Sequence, residues 1–106
     1  MPRFVLVYHG GARPMSADEA EANKRRYMTW MREVGSALAS PANPFGPSKL
    51  VSSDGVRDLP PSEALSGYSV VEAGDLDAAL AIAASCPFLD IGNLEVAPLM
   101  EMPSGG

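Results

Sequence analysis

Twice along this chain, a short run of β-branched and aromatic residues gives way to a segment of helical period opened by a capping residue. Residues 4–8 (FVLVY) end at Gly10-Gly11, and Ser16 then opens a segment whose apolar residues Tyr27, Met31, Val34 and Leu38 recur at helical spacing. Residues 68–73 (YSVVEA) end at Gly74, and Asp75 opens a second such segment with Leu76, Ala79, Leu80 and Ala83 as its stripe. Glu19 lies three residues after Ser16, the spacing of a capping box. The first helix is expected over about 16–39, stopping before Pro41, with Trp30 on an adjoining face that reaches past the core. Cys86-Pro87 ends the second helix.

Each strand–helix unit is completed by a further short strand, expected at residues 49–53 (KLVSS) and 93–102. Asp54-Gly55 is a turn signal, and residues 55–66, with Pro60-Pro61 and no period, read as a surface loop. The order β-α-β-β-α-β is the ferredoxin-like α+β pattern. Proline before the second strand and inside the fourth marks both as edges, so the antiparallel order is expected to be 4-1-3-2. Residues 1–102 are expected to form a single domain and 103–106 a fraying tail. The first strand is apolar on both faces, with Phe4, Leu6 and Tyr8 on one and Val5, Val7 and His9 on the other. Two helices cover only one sheet face, so a homodimer packed sheet to sheet, a dimeric α+β barrel, is the expected assembly.

Composition removes several classes of function. A length of 106 residues with 46% hydrophobic content excludes collagen-like and disordered chains. The net charge of −5 offers no basic excess for phosphate binding, so no nucleic-acid partner is expected. One cysteine allows no internal disulfide, and no apolar run approaches the length of a membrane span. A cytoplasmic protein with no membrane partner is the expectation.

His9 is the only histidine, and its side chain is the natural proton-transfer group near neutral pH. It is the candidate catalytic residue; Asp54, Asp58, Asp90 and Glu72 are the acids considered as its partner. Arg13 is the candidate for holding an anionic substrate, with Lys49 and Arg57 assisting. Tyr8, Tyr68, Ser52 and Asp54 are candidate pocket residues; for each charge alone a solvated surface role competes, and for the tyrosines core packing does. Cys86 has no CxxC partner and reads as a small buried apolar residue. With one His and one Cys, metal-ligand spacing is absent, and neither a Walker loop nor GxGxxG occurs, so no metal and no cofactor is expected.

The opening FVLVYHGG, the segment GYSVVEAGDLDAALAIAASCP and the close LEVAPLMEM together resemble the YCII-related proteins, including their DGPF-type members. The resemblance covers the first strand and nearly all of 67–102. It implies a ferredoxin-like α+β fold and a dimer. Asp54-Gly55 matches the first half of the DGPF motif, while Val56-Arg57 stands in place of Pro-Phe. Some relatives are similar to muconolactone isomerases or act as lyases or dehalogenases on muconate-like acids. In them the resemblance implies a helix-one histidine followed by an aspartate. Here the helix reads Arg26-Tyr27-Met28-Thr29-Trp30, and SPANPFGPSK after it has no acid, so no catalytic residue transfers.

Two functional readings follow. One is a dimer that binds a small anionic or aromatic molecule near the end of the first strand and performs cofactor-free acid–base chemistry through His9. The other is a non-catalytic ligand-binding or protein-interaction module. An acid within hydrogen-bond reach of His9 in a closed pocket separates them.

Overall fold

The computed structural model describes residues 1–11, 15–60 and 63–100. Its elements, in chain order, are β1 (Arg3–Gly10), α1 (Ala17–Val34), β2 (Leu38–Pro44), β3 (Lys49–Ser52), β4 (Gly55–Asp58), β5 (Leu65–Glu72), α2 (Leu76–Ala84) and β6 (Gly92–Pro98), with short 3-10 turns at Gly35–Ala37 and Pro87–Asp90. The fold is α+β, with antiparallel sheets and two helices, and is consistent with a ferredoxin-like arrangement. Four strands form the main sheet in the order β2-β5-β1-β6, while β3 and β4 make a separate hairpin.

Both helices begin where their caps lie. The Ser16 hydroxyl accepts from the Glu19 amide at 3.1 Å, and the Asp75 carboxylate accepts from Ala78 at 2.8 Å, each satisfying an amide that the helix leaves unpaired. α1 stops earlier than its apolar stripe suggests. Gly35 takes φ +62° and its amide returns to the Met31 carbonyl, which closes the last turn. Leu38 therefore belongs to β2.

The main sheet corrects the expected second strand. Lys49–Ser52 is extended, but it pairs only with Gly55–Asp58 across the Ser53-Asp54 turn. The strand at the sheet edge is β2, whose register on β5 slips twice. Pro41 and Pro44 explain its irregularity, since neither donates to a ladder, and the edge is where this is tolerated. Residues 55–66 are correspondingly not one loop, because they contain β4 and the start of β5.

Alternation along β1 sorts its side chains. Phe4, Leu6 and Tyr8 are buried beneath the helices with Val71, Ala79, Ala83, Cys86 and Phe88. Trp30 joins this core rather than reaching past it, and its indole N–H donates to Ser85 Oγ at 3.0 Å. On α2 the buried stripe is Ala79 and Ala83 with Ile82 against it; Leu76 and Leu80 face outward, contrary to the expected stripe. Alanine at the contact lets the helix approach the sheet closely. The other sheet face carries Val5, Val7, Tyr68, Val70 and Ala97, all half-buried, with neither helix over it.

Candidate functional site

The end of β1 builds a cavity on the helix side of the sheet. Tyr8 is the last inward residue of the strand. Beyond it Gly10 and Gly11 take φ +78° and +81°, a region that costs L side chains about 1–2 kcal/mol. Gly11 also makes room: a Cβ there would stand 2.7 Å from the Phe88 ring. Gly92 does the same, since a Cβ there would meet the ring at 2.7 Å. The tip of the Phe88 ring is thus seated against two glycines, and the ring stands edge-on to Tyr8 with ring centres 4.9 Å apart.

The facing wall is the segment after β2. Phe45 leans on Tyr68 at 5.9 Å between ring centres, and its amide donates to the Ser66 carbonyl at 2.9 Å. Ser66 Oγ donates to the Gly10 carbonyl, which ties this wall to the end of β1. The base of the β3–β4 hairpin closes a third side with Lys49, Asp58 and Leu59, and Lys49 and Asp58 form an ion pair. Together with Tyr27, Leu65 and Ile91 these residues line an open cavity of about 940 Å³, in the size range of pockets for small organic molecules.

The polar groups of the helix side stay neutral. Burial raises the Tyr8 phenol above its ordinary value, opposed by its hydrogen bond with Ser69. Burial, reinforced by the neighbouring Cys86 thiol, pushes Tyr27 far above the ordinary tyrosine value. Burial likewise raises Cys86, against the opposing hydrogen bonds from the Phe88 backbone and Tyr27.

His9 stands elsewhere. Being one residue past Tyr8, it points to the opposite face of the sheet. Its Nε2 lies 2.9 Å from Glu95 Oε1, a half-exposed contact. His9 pairs in register with Asn93, so Glu95 reaches it diagonally from two residues along β6. Glu95 was not among the four acids that the sequence suggested. His9 lines a second depression of about 570 Å³ with Glu63, which adjoins the first and shares Phe45, Lys49, Leu59 and Leu65 with it.

Of the sequence candidates, the structure brings Tyr8 and Lys49 to the main cavity and His9 and Lys49 to the second depression. Tyr68 lies on the helix-free face, touching the cavity only through Phe45. Asp54 sits at the exposed tip of the hairpin and lines neither space. Arg13 lies outside the described residues. Sequence reasoning missed Tyr27, Phe45, Phe88 and Ile91. The glycines Gly11 and Gly92 were the available signal, because each marks a place where backbone or ring packs too closely for a side chain, while Gly10 is there for its positive φ. Among the described residues no cluster of three or more His, Cys, Asp or Glu side chains stands ready for a metal ion.

Two helices on one face of an antiparallel sheet, with an aromatic cavity at the end of a central strand, define a small α+β protein with a pocket beneath its sheet. The chain belongs to the YCII-related family: the model of the YCII-related domain matches residues 1–103. A search of curated proteins finds no match to it. Among the described residues no helix is long and apolar enough to cross a membrane.

Proposed function

We propose that this YCII-related protein is a homodimer that binds a small aromatic molecule in the cavity between Tyr8, Tyr27, Phe45 and Phe88. The observation that carries this reading is the cavity itself: about 940 Å³, walled by four aromatic rings and by Leu59, Leu65 and Ile91. An anionic ligand is less well served. Lys49 is its one cation among the described lining residues, and Asp58 already neutralises it. Binding is tested by calorimetric titration with compounds of naphthalene or indole size. Saturable binding is expected, weakened about tenfold or more by Ile91→Trp, whose larger ring fills the chamber. Failure of every compound to bind overturns the reading.

A second reading assigns acid–base chemistry to His9, and the contact at 2.9 Å with Glu95 favours it, because a carboxylate orients an imidazole and stabilises its protonated form. His9 does not line the aromatic cavity, so this chemistry belongs to the adjoining depression that His9 does line. Turnover of a compound bound there is expected to be lost in His9→Ala with the fold intact. Unchanged turnover removes the histidine from the mechanism and leaves the binding module. Residence in the cytoplasm is part of the same proposal, supported by the single cysteine.

A further inference from the structure

The polar groups of the cavity are unevenly spread. On the hairpin side Lys49 and Asp58, the only charged groups among its described lining residues, are paired with each other. On the helix side stand the two phenols, with the Cys86 thiol beside Tyr27. The Tyr8 hydroxyl is already engaged, sharing a hydrogen bond with Ser69 Oγ in the buried layer. Tyr27 differs. Its hydrogen-bond partner among the described residues is the Cys86 sulfur, which accepts weakly.

The Tyr27 ring is nevertheless held in place. It packs edge-on against Trp30 with ring centres 6.3 Å apart and planes at 86°, and Trp30 is anchored by its N–H to Ser85. Tyr27 is therefore half-buried and pre-positioned, and it lines a largely apolar chamber. A ligand acceptor placed there gives up water but displaces only a weak sulfur contact. The thiol and both phenols are neutral at neutral pH, so among the described residues of this side no negative charge repels an acceptor lone pair. Among the described residues of this side no cation compensates a buried carboxylate, and an uncompensated carboxylate resists leaving water.

Building on the cavity reading above, we infer that the Tyr27 hydroxyl donates a hydrogen bond to the carbonyl oxygen of an uncharged, planar aromatic ligand, and that the cavity thereby selects aromatic ketones and related carbonyl compounds over aromatic carboxylates. Phe45 and Phe88 supply the walls for the ring, and Tyr27 reads the oxygen.

Three probes with one ring system test this by calorimetric titration of the full chain: 2-acetylnaphthalene, 2-ethylnaphthalene and 2-naphthoate. The ketone is expected to bind about tenfold or more tightly than the carboxylate, which would bury an unpaired charge. Tyr27→Phe is expected to weaken the ketone about fivefold while changing the hydrocarbon by less than about twofold, the signature of one neutral hydrogen bond. In infrared difference spectra the carbonyl stretch of the bound ketone should fall below its value in hydrocarbon solvent, and should return toward it in Tyr27→Phe. Tightest binding by the carboxylate overturns the inference, as does equal weakening of ketone and hydrocarbon by the substitution. If Tyr27→Phe does not fold, the stretch on the wild-type protein decides, and a value equal to that in hydrocarbon overturns it. Those failures leave the aromatic cavity standing, whereas binding by none of the three removes both readings.

Discussion

Tyr8, Tyr27 and Cys86 are acids that the fold keeps from ionising. In the unfolded chain a cysteine loses its proton near its ordinary value of 9.0 and a tyrosine near 10.0; in the folded protein burial raises all three. Above those pH values the unfolded state holds fewer protons than the folded state, so stability falls as pH rises. The contribution is fully present below about pH 9, begins to fade as the thiol of the unfolded chain titrates, and fades faster once the phenols follow. Each group adds a slope approaching about 1.4 kcal/mol per pH unit where only the unfolded form is ionised. Urea midpoints between pH 7 and 10.5 should therefore decline, with Cys86→Ala flattening the onset and Tyr27→Phe the steeper part above it. Parallel profiles for wild type and both variants would contradict the burial of these groups. Strand alternation made Tyr8's inward direction legible in the sequence, along with His9's opposite one. It did not reveal Tyr27 as a cavity residue, because a tyrosine on a helical stripe looks the same whether it meets packed side chains or an open chamber. Glu95 escaped for a related reason: the diagonal between β1 and β6 exists only once register is set.

Elements whose ends carry local chemistry were the readable ones. Ser16 and Asp75 cap α1 and α2 as their spacing predicts, and the β-branched run of β1 is a central strand. β2 was unreadable because Leu38–Pro44 contains two prolines and no alternation; it is a strand only because β5 offers an edge. The hairpin was half readable. Lys49–Ser52 and the Asp54-Gly55 turn stand out, but the sequence cannot say which sheet a strand joins. Its isolation has a dynamic consequence. Every residue of β3 and β4 is exposed, and the cross-strand pair Val51 and Val56 is left 73% and 67% accessible. A two-stranded ribbon without a covered face is marginally stable alone. In the unliganded protein its amides are expected to exchange with solvent well before those of β1 and β5, which hydrogen exchange followed by NMR resolves residue by residue. Ligand binding should slow the hairpin selectively, because Lys49, Asp58 and Leu59 at its base border the cavity. Protection of β3 and β4 equal to that of β1 in the free protein would show that something covers the hairpin.

At the scale of the molecule the main point is thinness. The chain spans 43 × 43 × 19 Å, and its radius of gyration of 15.4 Å exceeds the roughly 13 Å of a compact domain of this length. One sheet and one layer of helices account for the short dimension, and such domains ordinarily bury both faces of a sheet that is apolar on both. On the bare side Val5, Val7, Val70 and Ala97 form the centre, with Arg3–Glu72 and His9–Glu95 pairs toward the strand ends. An apolar centre inside a polar rim is the anatomy of a protein interface, which supports the proposed homodimer. Val7 lies between Tyr68 and Glu95 in the ladder, so Val7→Arg places a charge at the middle of that face without entering the core. Light scattering at micromolar concentration is expected to give twice 11.1 kDa for the wild type and 11.1 kDa for the variant. Tyr8 and Tyr27 of the aromatic cavity lie on the opposite side of the sheet, so the monomeric variant should still bind its ligand, whereas chemistry at His9 should change with the interface. A wild-type monomer, or a Val7→Arg dimer of unchanged affinity, would mean that this face does not carry the assembly. Loss of cavity binding on dissociation would instead mean that the two sides of the sheet are coupled through β1, the one strand that carries both Tyr8 and His9.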